Sequence, residues 1–211
     1  MSAEGLLHVA QIVPDTEAEG PGRRFALWVQ GCSIRCPGCC NPEMFVAAGE
    51  RAGDTGRAPM RAVDLADRAI ATPGIEGVSL LGGEPFEQAD SLALFAARVR
   101  AAGLTVMVYT GYTLAELHGM ARPGVAALLA ASDLLVDGRF EADRPETRRR
   151  WIGSQNQQMH FLTDRCSPDD PRFSAPNTIE IRLRRGELLV NGWPALAREV
   201  APRRARTDER R

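Results

Sequence analysis

Residues 77–109 read GVSLLGGEPFEQADSLALFAARVRAAGLTVMVY. Two short apolar runs, Gly77–Leu81 and Thr105–Tyr109, flank a segment from Gln88 to Ala102. Within that segment Leu92, Phe95, Ala96 and Val99 recur at helical spacing. Gly103 supplies the stop. Strand, helix and strand in so short a stretch form a βαβ unit, whose two strands lie parallel in one sheet.

The same alternation extends in both directions. Towards the N-terminus, Leu6–Val13 predicts a strand, followed by a Pro/Gly/Glu-rich loop through Gly22. Arg24–Gln30 (RFALWVQ) predicts a second strand that runs straight into the loop Gly31–Asn41. A Gly- and Ala-rich loop is expected over Ala47–Pro59, then an amphipathic helix over Met60–Thr72 carrying Val63, Leu65, Ala66 and Ile70. Towards the C-terminus, helices are expected over Thr113–Met120 and Gly124–Ala131, and a strand over Asp133–Val136. From about Arg24 to Asp137 the chain therefore reads as an α/β fold around a mainly parallel sheet, with no internal repeat. Ligands of such sheets bind at the C-terminal ends of the strands. Four loops follow strands and are expected on one face: Gly31–Asn41, Gly82–Pro85, Thr110–Tyr112 and Asp137–Phe140.

Beyond Phe140 the character changes. Glu141–Arg150 is a charge-dense loop, Gln158–Thr163 a strand candidate, and Cys166–Asn177 is rich in Pro and Asp. Thr178–Leu183 and Leu188–Trp193, turning at Arg184–Glu187, predict a β-hairpin. The Arg-rich end, 198–211, reads as a solvated, disordered tail.

The whole chain has 211 residues, 44% apolar and 25% charged, which suits one domain with a real core. Its 26 basic and 27 acidic residues leave a net charge of −1, so no overall field attracts nucleic acid or an anionic membrane. No apolar run is long enough to span a membrane, and Met1–Ala10 lacks a secretory leader. The expected location is the cytoplasm. Every basic residue is Arg, so no Schiff base can form on a lysine.

The five cysteines are unevenly placed. Cys32, Cys36, Cys39 and Cys40 share one loop, while Cys166 stands alone. Reduced, clustered thiols bind metal more often than they pair. The spacing Cys32-x3-Cys36-x2-Cys39 puts three thiolates on a short loop, a donor set that suits an iron–sulfur cluster. Three ligands on a four-iron cluster leave one iron open, and open positions mark reactive sites. A structural zinc site, with Cys40 or Cys166 as fourth ligand, is the competing reading, although no second CxxC pair accompanies it. Cys166 reads as a small buried residue and Cys40 as an inert neighbour. His8, His118 and His160 are scattered and form no constellation; Tyr109 and Tyr112 read as packing residues. The run Arg148–Arg150 reads as a solvated face that a partner or an acidic reductant would meet.

The loop Cys32-Ser-Ile-Arg-Cys36-Pro-Gly-Cys39, followed by Asn41-Pro42, resembles the cluster loop of the radical S-adenosylmethionine (SAM) enzymes. Its surroundings are closely similar to the small activating enzymes of the anaerobic ribonucleotide reductase type. Gly82-Gly83-Glu84-Pro85 resembles that family's motif for the SAM ammonium. Val108–Tyr112 is similar to the loop bordering SAM, and Leu135–Phe140 to a later strand end with an acidic contact. Gly153-Ser154-Gln155-Asn156-Gln157 matches a stretch typical of the activating branch. The resemblance covers roughly Gly22–Leu162. It departs at position 40, commonly His and here Cys, in a less aromatic loop after Pro42, and in a longer C-terminal region.

The resemblance implies a partial (β/α) barrel, with a core over 1–163, an extension with the hairpin over 164–197 and a tail over 198–211. It further implies a [4Fe–4S] cluster on Cys32, Cys36 and Cys39, and SAM held by Gly82, Gly83, Glu84, Thr110 and Asp137. Reductive cleavage of SAM would give a 5′-deoxyadenosyl radical that abstracts hydrogen from a glycine Cα of a partner enzyme. An electron donor such as flavodoxin or ferredoxin is implied, and no catalytic residue beyond the cluster and SAM ligands is needed. A peptide or small-molecule substrate, or a non-catalytic iron–sulfur or zinc module, are the alternative readings. Where relatives place a lysine, this chain offers only Arg, with Arg139 the position to inspect.

Overall fold

The structure, a computed structural model, describes residues 5–46, 58–184 and 187–193. Residues 47–57 of the loop expected over Ala47–Pro59 and the Arg-rich end lie outside the described residues, as do 194–197 of the extension. In chain order the elements are β1 (Leu6–Leu7), β2 (Val9–Thr16), β3 (Arg24–Val29), β4 (Met60–Arg61) and α1 (Ala62–Ile70). Next come β5 (Gly77–Gly82), α2 (Ala89–Ala101), β6 (Thr105–Tyr109), α3 (Leu114–Gly119), α4 (Pro123–Ala130) and β7 (Leu134–Asp137). The described chain closes with β8 (Gln158–Phe161) and the hairpin of β9 (Ile179–Arg184) and β10 (Glu187–Gly192).

One sheet organises the core, in the order β2-β3-β5-β6-β7-β8. Its four central strands are parallel, with Leu27 opposite Leu80, Leu80 opposite Val108 and Val108 opposite Leu135. The edge strands β2 and β8 run antiparallel to their neighbours. The architecture is thus α/β with a mostly parallel sheet and a C-terminal hairpin. Two sequence expectations change. Leu6–Val13 is not one strand, because β1 leaves the sheet to pair with β4, and Met60–Arg61 is therefore extended before α1 begins.

Side-chain alternation gives the sheet two apolar faces. Phe25, Leu27, Val29, Leu80, Val108 and Leu135 pack with Leu65, Leu92, Phe95 and Leu128 from the helices. Intervening residues, among them Ala26, Trp28, Leu81, Met107, Leu134 and Val136, form smaller apolar groups on the other face. Arg24, fully buried, is held on that side by Ser79 Oγ (2.7 Å) and the Pro21 carbonyl (3.0 Å). Burial without a carboxylate bonded to it pulls its guanidinium down to about 10.

Candidate functional site

The cysteine loop begins where β3 ends, and three sets of hydrogen bonds, one backbone and two through side chains, fix its base. Gly31 N–H donates to the Met44 carbonyl (2.9 Å) and Cys32 N–H to Phe45 (3.2 Å), closing the loop on itself. The Gln88 side chain donates to the carbonyls of His8 (3.1 Å) and Gln30 (2.8 Å), tying β2 to the end of β3. Glu87 accepts from both the N–H (2.7 Å) and the hydroxyl (2.6 Å) of Ser33. Neither Glu87 nor Gln88 stood out in the sequence, since nothing in their spacing distinguishes an anchor from a helix start.

The Gly82-Gly83 pair lies against this base. Gly83 N–H donates to the Val29 carbonyl and Glu84 N–H to the Gly31 carbonyl, both at 2.8 Å. A Cβ at position 83 would stand 2.0 Å from the Gly31 oxygen, and one at 82 would stand 2.4 Å from the Val29 nitrogen. Gly82 also has φ +109°, a left-handed geometry that glycine alone adopts without strain. Two backbones meet here with no room for side chains.

Glu84 extends the assembly to a third loop. Its Oε1 accepts from Phe86 N–H (2.9 Å) and the Thr110 hydroxyl (2.8 Å), and its Oε2 accepts from Gly111 N–H (2.9 Å). Burial pushes this carboxyl up to about 7, although the three donors oppose the shift. Oε2 keeps a lone pair for a further donor.

These loops line one cavity of about 410 Å3, at the lower end of what one drug-sized ligand occupies. Cys32, Cys36, Cys39 and Cys40 contribute to its lining, as do Gly82, Gly83, Glu84 and Thr110. All four loops expected on one face contribute to it, the last through Gly138 and Phe140. The stretch Gly153–Gln157 holds that last loop in place: Gln157 donates to the Gly138 carbonyl (2.9 Å) and Asn156 to that of Arg139 (2.7 Å).

Asp137 is set apart from the other predicted SAM residues. Its Oδ2 accepts from Leu114 N–H (2.7 Å) and lies 3.0 Å from His160 Nε2, facing a groove with Thr113 and Arg139. Arg139 itself donates to Glu116 (3.0 Å) and leaves the cavity lining to its neighbours. Cys166 packs beside Met107, Leu134 and Trp151.

The donor chemistry of the cysteine loop suits a cluster. Desolvation raises the Cys32 thiol and pushes Cys39 up to about 11, while backbone N–H groups of Arg35 and Ile34 point at Cys32 and that of Asn41 at Cys39 (3.4 Å). A cationic centre would hold these desolvated, N–H-bonded thiols as thiolates. N–H···S bonds of this kind tune iron–sulfur centres. Among the described residues, no three His, Cys, Asp or Glu side chains converge as the ligands of a single ion. No described helix is long and apolar enough to cross a membrane.

Sequence reading missed the remaining wall. Glu19, from the β2–β3 connection, and Asn177, Val190, Asn191, Gly192 and Trp193, from the C-terminal extension, complete the lining. Glu19 is buried and pushed up to about 7 by that burial, with Gly192 N–H donating to it at 2.7 Å.

Comparison with known proteins adds to this geometry. A family model described as a 4Fe-4S single cluster domain matches residues 18–160. A protein of Vibrio cholerae is 34% identical over 158 residues, covering 72% of this chain and 97% of its own length. One of Escherichia coli K12 is 33% identical over 156 residues, with the same coverages. One of enterobacteria phage T4 is 28% identical over 159 residues, covering 73% of this chain and 94% of its own. All three are named anaerobic ribonucleoside-triphosphate reductase-activating proteins.

Proposed function

The chain belongs to the family of anaerobic ribonucleoside-triphosphate reductase-activating proteins, enzymes of the radical SAM activating branch with a 4Fe-4S single cluster domain, and from that premise we propose that it cleaves SAM to generate a glycyl radical on a partner reductase. In this reading the sheet is a partial (β/α) barrel. Its core spans 1–163, followed by the extension 164–197 and the tail 198–211. Cys32, Cys36 and Cys39 hold a [4Fe–4S] cluster, and SAM is gripped by Gly82, Gly83, Glu84 and the Thr110 loop. When bound, the cluster supplies the single electron that breaks a carbon–sulfur bond of SAM. A low-potential donor such as flavodoxin or ferredoxin replenishes that electron.

The chain's own contribution is positional. The observation that carries the reading is Glu84, whose backbone bonds to the cysteine loop and whose carboxylate bonds to the Thr110–Gly111 loop. One residue thereby sets the distance between the thiols and the groups that meet SAM. Its free lone pair, in a site shielded from water, is placed to accept the SAM ammonium. The Gly82-Gly83 pair lets this loop lie directly against the base of the cysteine loop, because nothing projects between the two backbones. Asp137 acts at one remove: by accepting from Leu114 it fixes α3, and Gly138 N–H donates to the Tyr112 carbonyl at 3.0 Å. No proton transfer is assigned to any side chain.

Anaerobic reconstitution with iron and sulfide, followed by SAM and a strong reductant, is expected to yield methionine and 5′-deoxyadenosine. A full cluster without SAM cleavage would refute the proposal. With the reductase added, the expected product is a glycine-centred radical visible by electron paramagnetic resonance.

A further inference from the structure

A negative charge stands beside the cysteine loop, on Glu87. The residue belongs to the single turn Pro85–Gln88 that follows Glu84. One oxygen of its carboxylate accepts from both the N–H (2.7 Å) and the hydroxyl (2.6 Å) of Ser33, the residue next to Cys32. Among the described residues no arginine or histidine forms an ion pair with it. Glu87 is half-buried, so water screens its charge incompletely.

The loop is anchored without this contact. Gly31 is bonded to Met44, Cys32 to Phe45 and the Gln88 side chain to Gln30. What Glu87 adds is charge, and it acts on a cluster in two ways. The first is Coulombic. Desolvation is the main cause that raises the Cys32 thiol, and the charges of Glu84 and Glu87 add to it. A carboxylate that disfavours a thiolate also disfavours an extra electron on a cluster bound to that thiolate. The second way is through hydrogen bonds, because N–H groups that donate to the sulfurs of a cluster ease its reduction. The N–H groups of Ile34 and Arg35 point at Cys32, whereas that of Ser33 is committed to Glu87. Both effects lower the potential.

We propose that Glu87 tunes the cluster: its negative charge, held one residue from Cys32, keeps the reduction potential low. The proposal rests on the [4Fe–4S] cluster of the function given above and deepens that reading. A lower potential makes the reduced centre a stronger one-electron donor towards SAM. It also restricts the carriers that can supply that electron to those of low potential. The electron comes from the external carrier, and no bond of Glu87 changes.

The test is a redox titration of the full-length, cluster-loaded protein without SAM, followed by electron paramagnetic resonance of the reduced cluster. It is run at about pH 8.5, above the value of about 7 at which Glu84 titrates. Glu87→Gln keeps an oxygen for the Ser33 donors and removes the charge. Its potential is expected to be less negative than that of the parent, with the same iron bound per chain. Glu87→Asp keeps the charge and Ser33→Ala keeps Glu87 itself, so both are expected to stay closer to the parent than Glu87→Gln does. An unchanged potential in Glu87→Gln, with the cluster full, overturns the tuning alone. A shift in Ser33→Ala as large as that in Glu87→Gln also overturns it, because the hydrogen bonds and not the charge would then be responsible. Loss of iron in Glu87→Gln would make the residue a brace for the loop and overturn the tuning as well. A parent that assembles no [4Fe–4S] cluster overturns the function given above and the tuning with it.

Discussion

Glu84 binds three donors through a carboxyl that burial has raised to about 7. Below that pH a proton occupies the oxygen that an incoming ammonium needs; above it, the carboxylate attracts the cation. SAM affinity is therefore expected to rise between about pH 6 and pH 8. Glu84→Gln should flatten that rise and weaken SAM binding about tenfold, since a hydrogen bond to a charged group is worth roughly 1.5–3 kcal/mol. Anaerobic equilibrium dialysis with labelled SAM measures both effects. Gly83→Ala attacks the neighbouring contact. With a Cβ 2.0 Å from the Gly31 oxygen, the loops must separate, at an overpacking cost of about 1–3 kcal/mol. Iron bound per chain after reconstitution is expected to fall. At this scale it was legible that the thiols and the glycine pair would share one cavity, because both follow parallel strands. The direction of Asp137 was not, although the information was present. Val136 and Leu134 face the cavity side and Leu135 the helices, so Asp137, two residues beyond Leu135, follows it towards α3.

At the scale of elements, the α3 start is the clearest case of local chemistry fixing a boundary. Thr113 accepts from Glu116 N–H (3.1 Å) while Glu116 accepts from Thr113 N–H (2.7 Å), a closed capping box. Thr113→Ala is expected to cost about 1 kcal/mol in urea unfolding, with SAM cleavage retained. The alternation of strands and helices from β3 to β7 was readable because each apolar run has its own period and stop. The antiparallel sense of β2 and β8 was not. A period of two states which residues share a face and is silent on which way the strand runs. The hairpin shows the same limit: its alternation defines two faces, but which one is docked depends on Asp15, Thr16 and Glu17, far away in sequence.

For the whole molecule, two buried carboxyls shape the response to pH between about 4.5 and 7. Glu19 and Glu84 both titrate at about 7 in the fold against an ordinary value of 4.5. Between those values the folded chain holds protons that the unfolded chain has released, so stability falls as pH rises through that window. Metal-free protein is expected to melt lower at pH 7.5 than at pH 5, and Glu19→Gln, which retains an acceptor for Gly192 N–H, should remove part of the difference. Calorimetry on the anaerobic apoprotein measures it.

The order in which the cavity's parts occur along the chain adds a dimension of time. The thiols at 32–39 and the strands from β3 to β7 are all synthesised by Asp137, whereas the wall from Asn177 to Trp193 comes later. At 5–20 residues per second, roughly several seconds of translation separate the two. Until those residues are made, the cavity lacks that wall. Once the hairpin has been made and docked, the same cavity is walled on that side.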